Sequence, residues 1–196
     1  MDKLDNIILI GFMGSGKTTF GKWIAKNHGR DFYDTDELIE SSQSRSISDI
    51  FAENGEEYFR ELETDTVRRM LDDKVSGGVI SVGGGLPLRA GNRAILKRLG
   101  TVVYLKADVA ELVRRLEKDK TRPLLAGGSL EEKIKRLISE RSEFYEEAAD
   151  LEIDTSAGAE TLAGASASDS KAYAAEIKEH SFRSMYEKIM SEKGQS

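Results

Sequence analysis

The strongest constraint on the fold is a strand, a glycine loop and a helix in immediate succession near the start of the chain. Residues 6–10, Asn-Ile-Ile-Leu-Ile, are apolar and β-branched and read as a buried strand. Gly11-Phe12-Met13-Gly14-Ser15-Gly16-Lys17-Thr18 follows at once and fits G-x-x-x-x-G-K-[ST]. Phe20, Trp23 and Ile24 then recur at helical spacing on the way to His28. Gly11, Gly14 and Gly16 let successive backbone N–H groups turn inward around an anion. The helix N-terminus adds roughly half a positive charge to that cradle. Lys17 is placed to reach β- and γ-phosphates, and the Thr18 hydroxyl to ligate Mg²⁺. A flexible turn with a chance lysine would not need a strand before it and a helix after it.

Further strands are expected at 31–33, 79–82, 101–105 and 151–154, with helical patterns over 37–42, 46–54, 56–71, 89–99, 108–117 and 130–149. Ser46 and Ser48 are suited to capping the helix that carries Ile50, and Ser129 the one that starts at Leu130. Alternating strands and helices imply a parallel sheet with right-handed crossovers. Ligands of such sheets bind beyond the carboxyl ends of the strands, so chemistry is sought just after each one. The length of 196 residues suits one domain. A net charge of −6 argues against nucleic acid or an acidic membrane as partner. There are no cysteines, which removes disulfides and thiolate metal sites. The charged start, Met1-Asp2-Lys3-Leu4-Asp5, does not read as a signal peptide, and no run approaches ~20 apolar residues. A cytoplasmic location follows as the expectation.

Asp34 and Asp36 come directly after the second strand. They suit two tasks: holding a metal and orienting an acceptor hydroxyl, or capping the helix of Leu38 and Ile39. Gly83-Gly84-Gly85 after the third strand implies a close approach of backbone to substrate or γ-phosphate, against a simple turn before Pro87. Three arginines have apolar or glycine neighbours. Arg60 can pair with Glu63 at i, i+3 beside Phe59, and Arg141 precedes Phe144 and Tyr145. Arg122 sits in Thr121-Arg122-Pro123-Leu124-Leu125, ahead of Gly127-Gly128, where the composition suits a lid. Lys118, Lys120, Lys133 and Lys135 read as solvated charges.

In order and spacing from about residue 6 to 155, these motifs resemble shikimate kinase. The loop of residues 11–18 is common to many ATPases and GTPases, whereas the combination is specific. The resemblance implies an α/β, three-layer P-loop kinase fold like that of nucleoside-monophosphate kinases: a five-stranded parallel sheet flanked by helices in a single domain spanning 1–196. It implies an acceptor-binding region at about 34–62 and a mobile lid at about 117–128. It also implies transfer of the γ-phosphate of ATP to the 3-hydroxyl of shikimate, with Mg²⁺. By position, Gly14, Ser15, Gly16, Lys17, Thr18 and Thr19 would bind the nucleotide. Thr18, and Asp34 through water, would hold the metal. Asp36 would bind the reacting hydroxyl and act as base. Arg60 and Arg141 would grip the carboxylate and Gly84 would contact the ring. Arg122 would arrive over the phosphates with the lid, and Arg115 would stack on adenine. Shikimate and ATP are the implied partners of a monomer. Gluconate kinase is the nearest enzymatic rival. A regulatory GTPase would need N-K-x-D after the fourth strand, where this chain has Leu105-Lys106-Ala107-Asp108.

The pattern thins after residue 154. Residues 155–170 are rich in alanine, serine and glycine, which suits a flexible segment. A helix is expected over 171–190, where Tyr173, Ile177, Met185 and Ile189 recur at helical spacing, and its expected place is docked on the sheet. His28 and His180 share no metal spacing and read as ordinary surface residues. Trp23 and the methionines read as core or helix faces.

Overall fold

The computed structural model describes residues 4–117, 129–156 and 170–194, with side chains of the last segment from Lys178 onward. The expected lid, including Arg122, and most of the segment 155–170 lie outside the described residues, as do the side chains of Tyr173 and Ile177.

Five strands form one parallel sheet: β1 (Asn6–Ile10), β2 (Phe32–Asp34), β3 (Val79–Ser81), β4 (Gly100–Lys106) and β5 (Leu151–Asp154), in spatial order β2-β3-β1-β4-β5. β1 is central and every residue in it is buried, because helices cover both faces of the sheet. Ile8 pairs with Ile80 on one side and Val102 on the other. The helices are α1 (Lys17–His28), α2 (Thr35–Gln43), α3 (Ile47–Asp72), α4 (Ala90–Leu99), α5 (Val109–Leu116), α6 (Leu130–Ala148) and α7 (Ser170–Lys193).

The side-chain alternation of β1 divides the core. Ile8 and Ile10 pack with Val67, Met70, Leu96, Leu99, Tyr104 and Tyr145, under α3, α4 and α6. Ile7 and Leu9 face the other way and pack with Phe20 and Ile24 of α1 and with Met185 and Ile189 of α7. The expected docking of the C-terminal helix is therefore borne out. Lys188 Nζ donates to the Glu152 carbonyl at 3.0 Å, and Trp23 Nε1 to Glu179 Oε2 at 2.7 Å, fixing α7 at both β5 and α1.

The expected elements recur with small shifts. The patterns at 46–54 and 56–71 form the two halves of α3, broken at Gly55 (φ 81°, ψ 174°), a backbone region open essentially to glycine alone. Ser46 caps α3 by accepting from Asp49 N, and Ser129 caps α6 by accepting from Glu132 N. A short 3₁₀ turn, Leu86–Leu88, was not legible in the sequence. Met70 and Met185 are core residues and Trp23 is half-buried, while Met190 is exposed. His28 is on the surface as expected, but its ring stacks on Tyr186 at 3.7 Å and lies edge-on to Trp23, so it joins α1 to α7. His180 is exposed.

Candidate active site

Between β1 and α1 the loop closes on itself. Gly11, Gly14 and Gly16 have φ of 140°, 80° and 99°, values that disfavour any side chain. A Cβ at Gly11 would fall 2.5 Å from the Leu105 carbonyl oxygen, so this glycine is also required for space. Lys17 Nζ donates to the Gly11 and Phe12 carbonyls at 2.8 and 3.1 Å, which holds the ammonium over the loop. The Ser15 hydroxyl is buried and has no hydrogen-bond partner among the described residues. A buried hydroxyl with no partner in the protein marks a place built for an outside acceptor or donor.

Thr18 Oγ1 donates to Asp34 Oδ2 at 3.0 Å, and Asp34 Oδ1 accepts from Asp36 N at 3.1 Å. Asp34 therefore both caps α2 and brings an oxygen to the threonine of the loop. The two readings of this residue, metal support and helix cap, are compatible because each uses a different carboxylate oxygen. A hydroxyl and a carboxylate are the hard oxygen ligands that suit Mg²⁺. Among the described residues no group of three or more His, Asp or Glu could hold a metal unaided.

Of the three glycines after β3, Gly83 and Gly85 closely approach the protein's own side chains, while Gly84 lies against the backbone of the glycine loop. A Cβ on Gly83 would lie 2.6 Å from Glu63 Oε1 and 2.7 Å from Asp36 Oδ1, and one on Gly85 would strike the Arg60 guanidinium. Gly83 and Gly85 thus also have a packing reason: they give the carboxylates and the arginine room to converge, while Gly83 and Gly84 line both cavities of the site. Gly83 N also donates to Thr35 Oγ1 at 3.0 Å, and the Gly84 carbonyl accepts from Tyr145 at 2.6 Å. Burial pushes the Tyr145 phenol up to about 12, against the lowering effect of Arg141, so it remains a donor.

Arg60 pairs with Glu63 and Glu56, both at 2.7 Å. Glu63 is buried. Burial raises its carboxyl from an ordinary 4.5 to about 7, although the nearby Arg60 pulls it down; the neighbouring Asp36 pushes it further up. Arg141 is buried as well. Arg60, Glu63 and Arg141 line a recess of about 100 Å³ together with Asp36, Phe59 and Gly83 to Gly85.

That recess opens beside a larger cavity of about 550 Å³, lined by Gly14 to Thr19, Asp34, Asp36, Gly83, Gly84 and Arg115. Met13, Asp36, Gly83 and Gly84 belong to both. The structure thus brings together every described residue singled out from the sequence, with Arg60 and Arg141 on one side of Asp36 and the glycine loop on the other. Arg115 lines the larger cavity beside the glycine loop. Its guanidinium donates to Gly14 O (3.0 Å), Thr155 O (2.9 Å) and Glu111 Oε1 (2.5 Å). The sequence reading missed Glu111, which is buried and grips both Arg114 and Arg115. Its i, i+3 and i, i+4 spacing to two arginines was the available signal.

The shikimate kinase family model matches residues 13–192. The chain is 41% identical to a shikimate kinase of Chromobacterium violaceum, over 79% of this chain and 84% of that one. It is 44% identical to one of Bacillus mycoides, over 78% and 89%. The chain belongs to the shikimate kinase family. Among solved structures, the shikimate kinase from Acinetobacter baumannii in complex with shikimate superposes with a TM-score of 0.73 at 39% identity, covering 79% of this chain and 85% of that one. Family membership makes the chain an ATP-dependent kinase that moves the γ-phosphate of ATP to the 3-hydroxyl of shikimate, yielding shikimate 3-phosphate and ADP for chorismate and aromatic amino-acid synthesis. The fold expected from the sequence is the observed one.

Proposed function

We propose that the two joined cavities are the two substrate sites of one in-line phosphoryl transfer, with Asp36 at their junction. The observation that carries this is the shared wall: Asp36, Gly83 and Gly84 line both spaces, while Lys17 and Thr18 line one and Arg60 and Arg141 the other. Phosphoryl transfer asks a protein mainly for positioning and charge. The backbone N–H groups of residues 14–19 and the Lys17 ammonium neutralise the donor phosphates. Thr18 and Asp34 would hold Mg²⁺, Asp34 through water, and the ion would supply neutralising charge to the donor phosphates. Arg60 and Arg141 grip the carboxylate of shikimate through forked, charge-assisted hydrogen bonds, each contributing about 1.5–3 kcal/mol. The Gly84 backbone bounds the ring. Asp36 accepts the proton of the attacking hydroxyl.

Arg115 takes the nucleoside end of ATP. Arg122, outside the described residues, is assigned to the phosphates on the strength of the family motif. The enzyme acts as a single-domain monomer in the cytoplasm. In support, among the described residues no helix is long and apolar enough to cross a membrane, and Leu38 and Met190 are the exposed large hydrophobics.

Steady-state kinetics of two variants test the assignment. Asp36→Asn is expected to lower kcat about 10²–10⁴-fold while the protein still folds. Arg60→Ala is expected to raise the KM for shikimate at least tenfold more than the KM for ATP. An unchanged kcat in the first, or equal KM effects in the second, would remove these residues from their roles.

A further inference from the structure

The larger cavity has a wall that neither the glycine loop nor the shikimate recess accounts for. Lys178, Ser181, Phe182 and Met185 of α7 line it. Their spacing, i, i+3, i+4 and i+7, places them on one face of the helix. The face grades from a buried Met185 through half-buried Phe182 and Ser181 to an exposed Lys178. It is held in place: Met185 and Ile189 lie in the core, and Phe182 packs against Phe20 at 5.1 Å and Trp23 at 5.7 Å between ring centroids. Lys178 Nζ sits 5.5 Å from the Phe182 ring centre, which directs the ammonium along the cavity wall.

The sheet order says which end of a nucleotide meets this wall. Asp36 follows β2 and the three glycines follow β3, so the acceptor lies on that side of the central loop. For the γ-phosphate to face Asp36, the rest of the donor must run the other way, over β4 and β5. There the cavity is walled by Arg114, Arg115, Thr155 and the α7 face. A cavity of about 550 Å³ has room for more than a phosphate chain at that end.

We propose that α7 is part of the donor-nucleotide site, with Ser181 and Lys178 making polar contacts to the nucleoside half of ATP and acting as determinants of nucleotide affinity. Ser181 offers a hydroxyl that both donates and accepts. Lys178 offers a cation suited to ribose oxygens and to the acceptor edge or face of a base. The proposal rests on the assignment of the glycine loop to the phosphates, so its test separates the two ends of the donor. Binding of ATP and of inorganic tripolyphosphate is measured by calorimetry for the full chain, for Ser181→Ala combined with Lys178→Gln, and for Lys17→Ala. The α7 double variant is expected to bind ATP 5–30-fold more weakly and tripolyphosphate within twofold of the unaltered chain. Retained tripolyphosphate binding also shows that the variant is folded. ATP affinity within twofold of the unaltered chain, or equal weakening toward both ligands, would overturn the α7 assignment. Lys17→Ala is expected to weaken both ligands at least tenfold; if it changes neither, the assignment of the loop itself fails.

Discussion

At the residue scale the site is a cluster of carboxylates and guanidinium groups whose charges are set by one another. Glu63 shows this most plainly, as a carboxyl beside a guanidinium and a second carboxylate. It is buried beside Arg60, and its carboxyl is raised from 4.5 to about 7 by burial. A carboxyl raised on folding stabilises fully below its unfolded value, and that contribution is lost as pH rises through the folded value. Between pH 4.5 and about 7 the protein is therefore expected to lose stability on this account, by about 3 kcal/mol for a shift of this size. Urea unfolding of the wild type and of Glu63→Gln across that range checks it. The difference between them should fall steadily with rising pH, and a flat difference would show that Glu63 holds no proton in the folded state. The Arg60–Glu63 pair was readable from i, i+3 spacing. Its burial was not, because it depends on Gly83 and Gly85, distant in sequence, leaving room for the two side chains.

Elements differ in how much of their placement the sequence carries. β1, the glycine loop and α1 were legible because their signals are local: a β-branched run, glycines at three positive-φ positions and helical spacing behind them. Asp34 and Asp36 were legible for the same reason, being two residues apart at a strand end. Thr155 and the α7 face were not. They meet the loop through contacts made across 40 to 140 residues, such as Arg115 to Thr155 and Thr155 to the Ser15 carbonyl. Among the described side chains of α7, Met185 and Ile189 are the ones buried in the core, so its docking depends on them. Ile189→Ala is expected to cost about 2–4 kcal/mol, read as a lower urea midpoint. A cost below about 1 kcal/mol would mean that α7 is not packed as part of the core.

For the whole molecule, function follows from sheet topology. With β1 central, the proposed assignment puts acceptor residues from α2, α3, α6 and the loop after β3 on one side of the phosphate loop and nucleoside-facing residues from α5, α7 and the end of β5 on the other. On that assignment the expected acceptor is a small molecule that fits the recess of about 100 Å³ and carries an anion for Arg60 and Arg141. The most direct measurement is the rate of ADP formation in a coupled assay with shikimate, gluconate and nucleoside monophosphates as acceptors, each against an ATP-only control. Turnover with shikimate, with gluconate and nucleoside monophosphates at the control rate, is the expected result; selective turnover of gluconate or of a nucleoside monophosphate would contradict it.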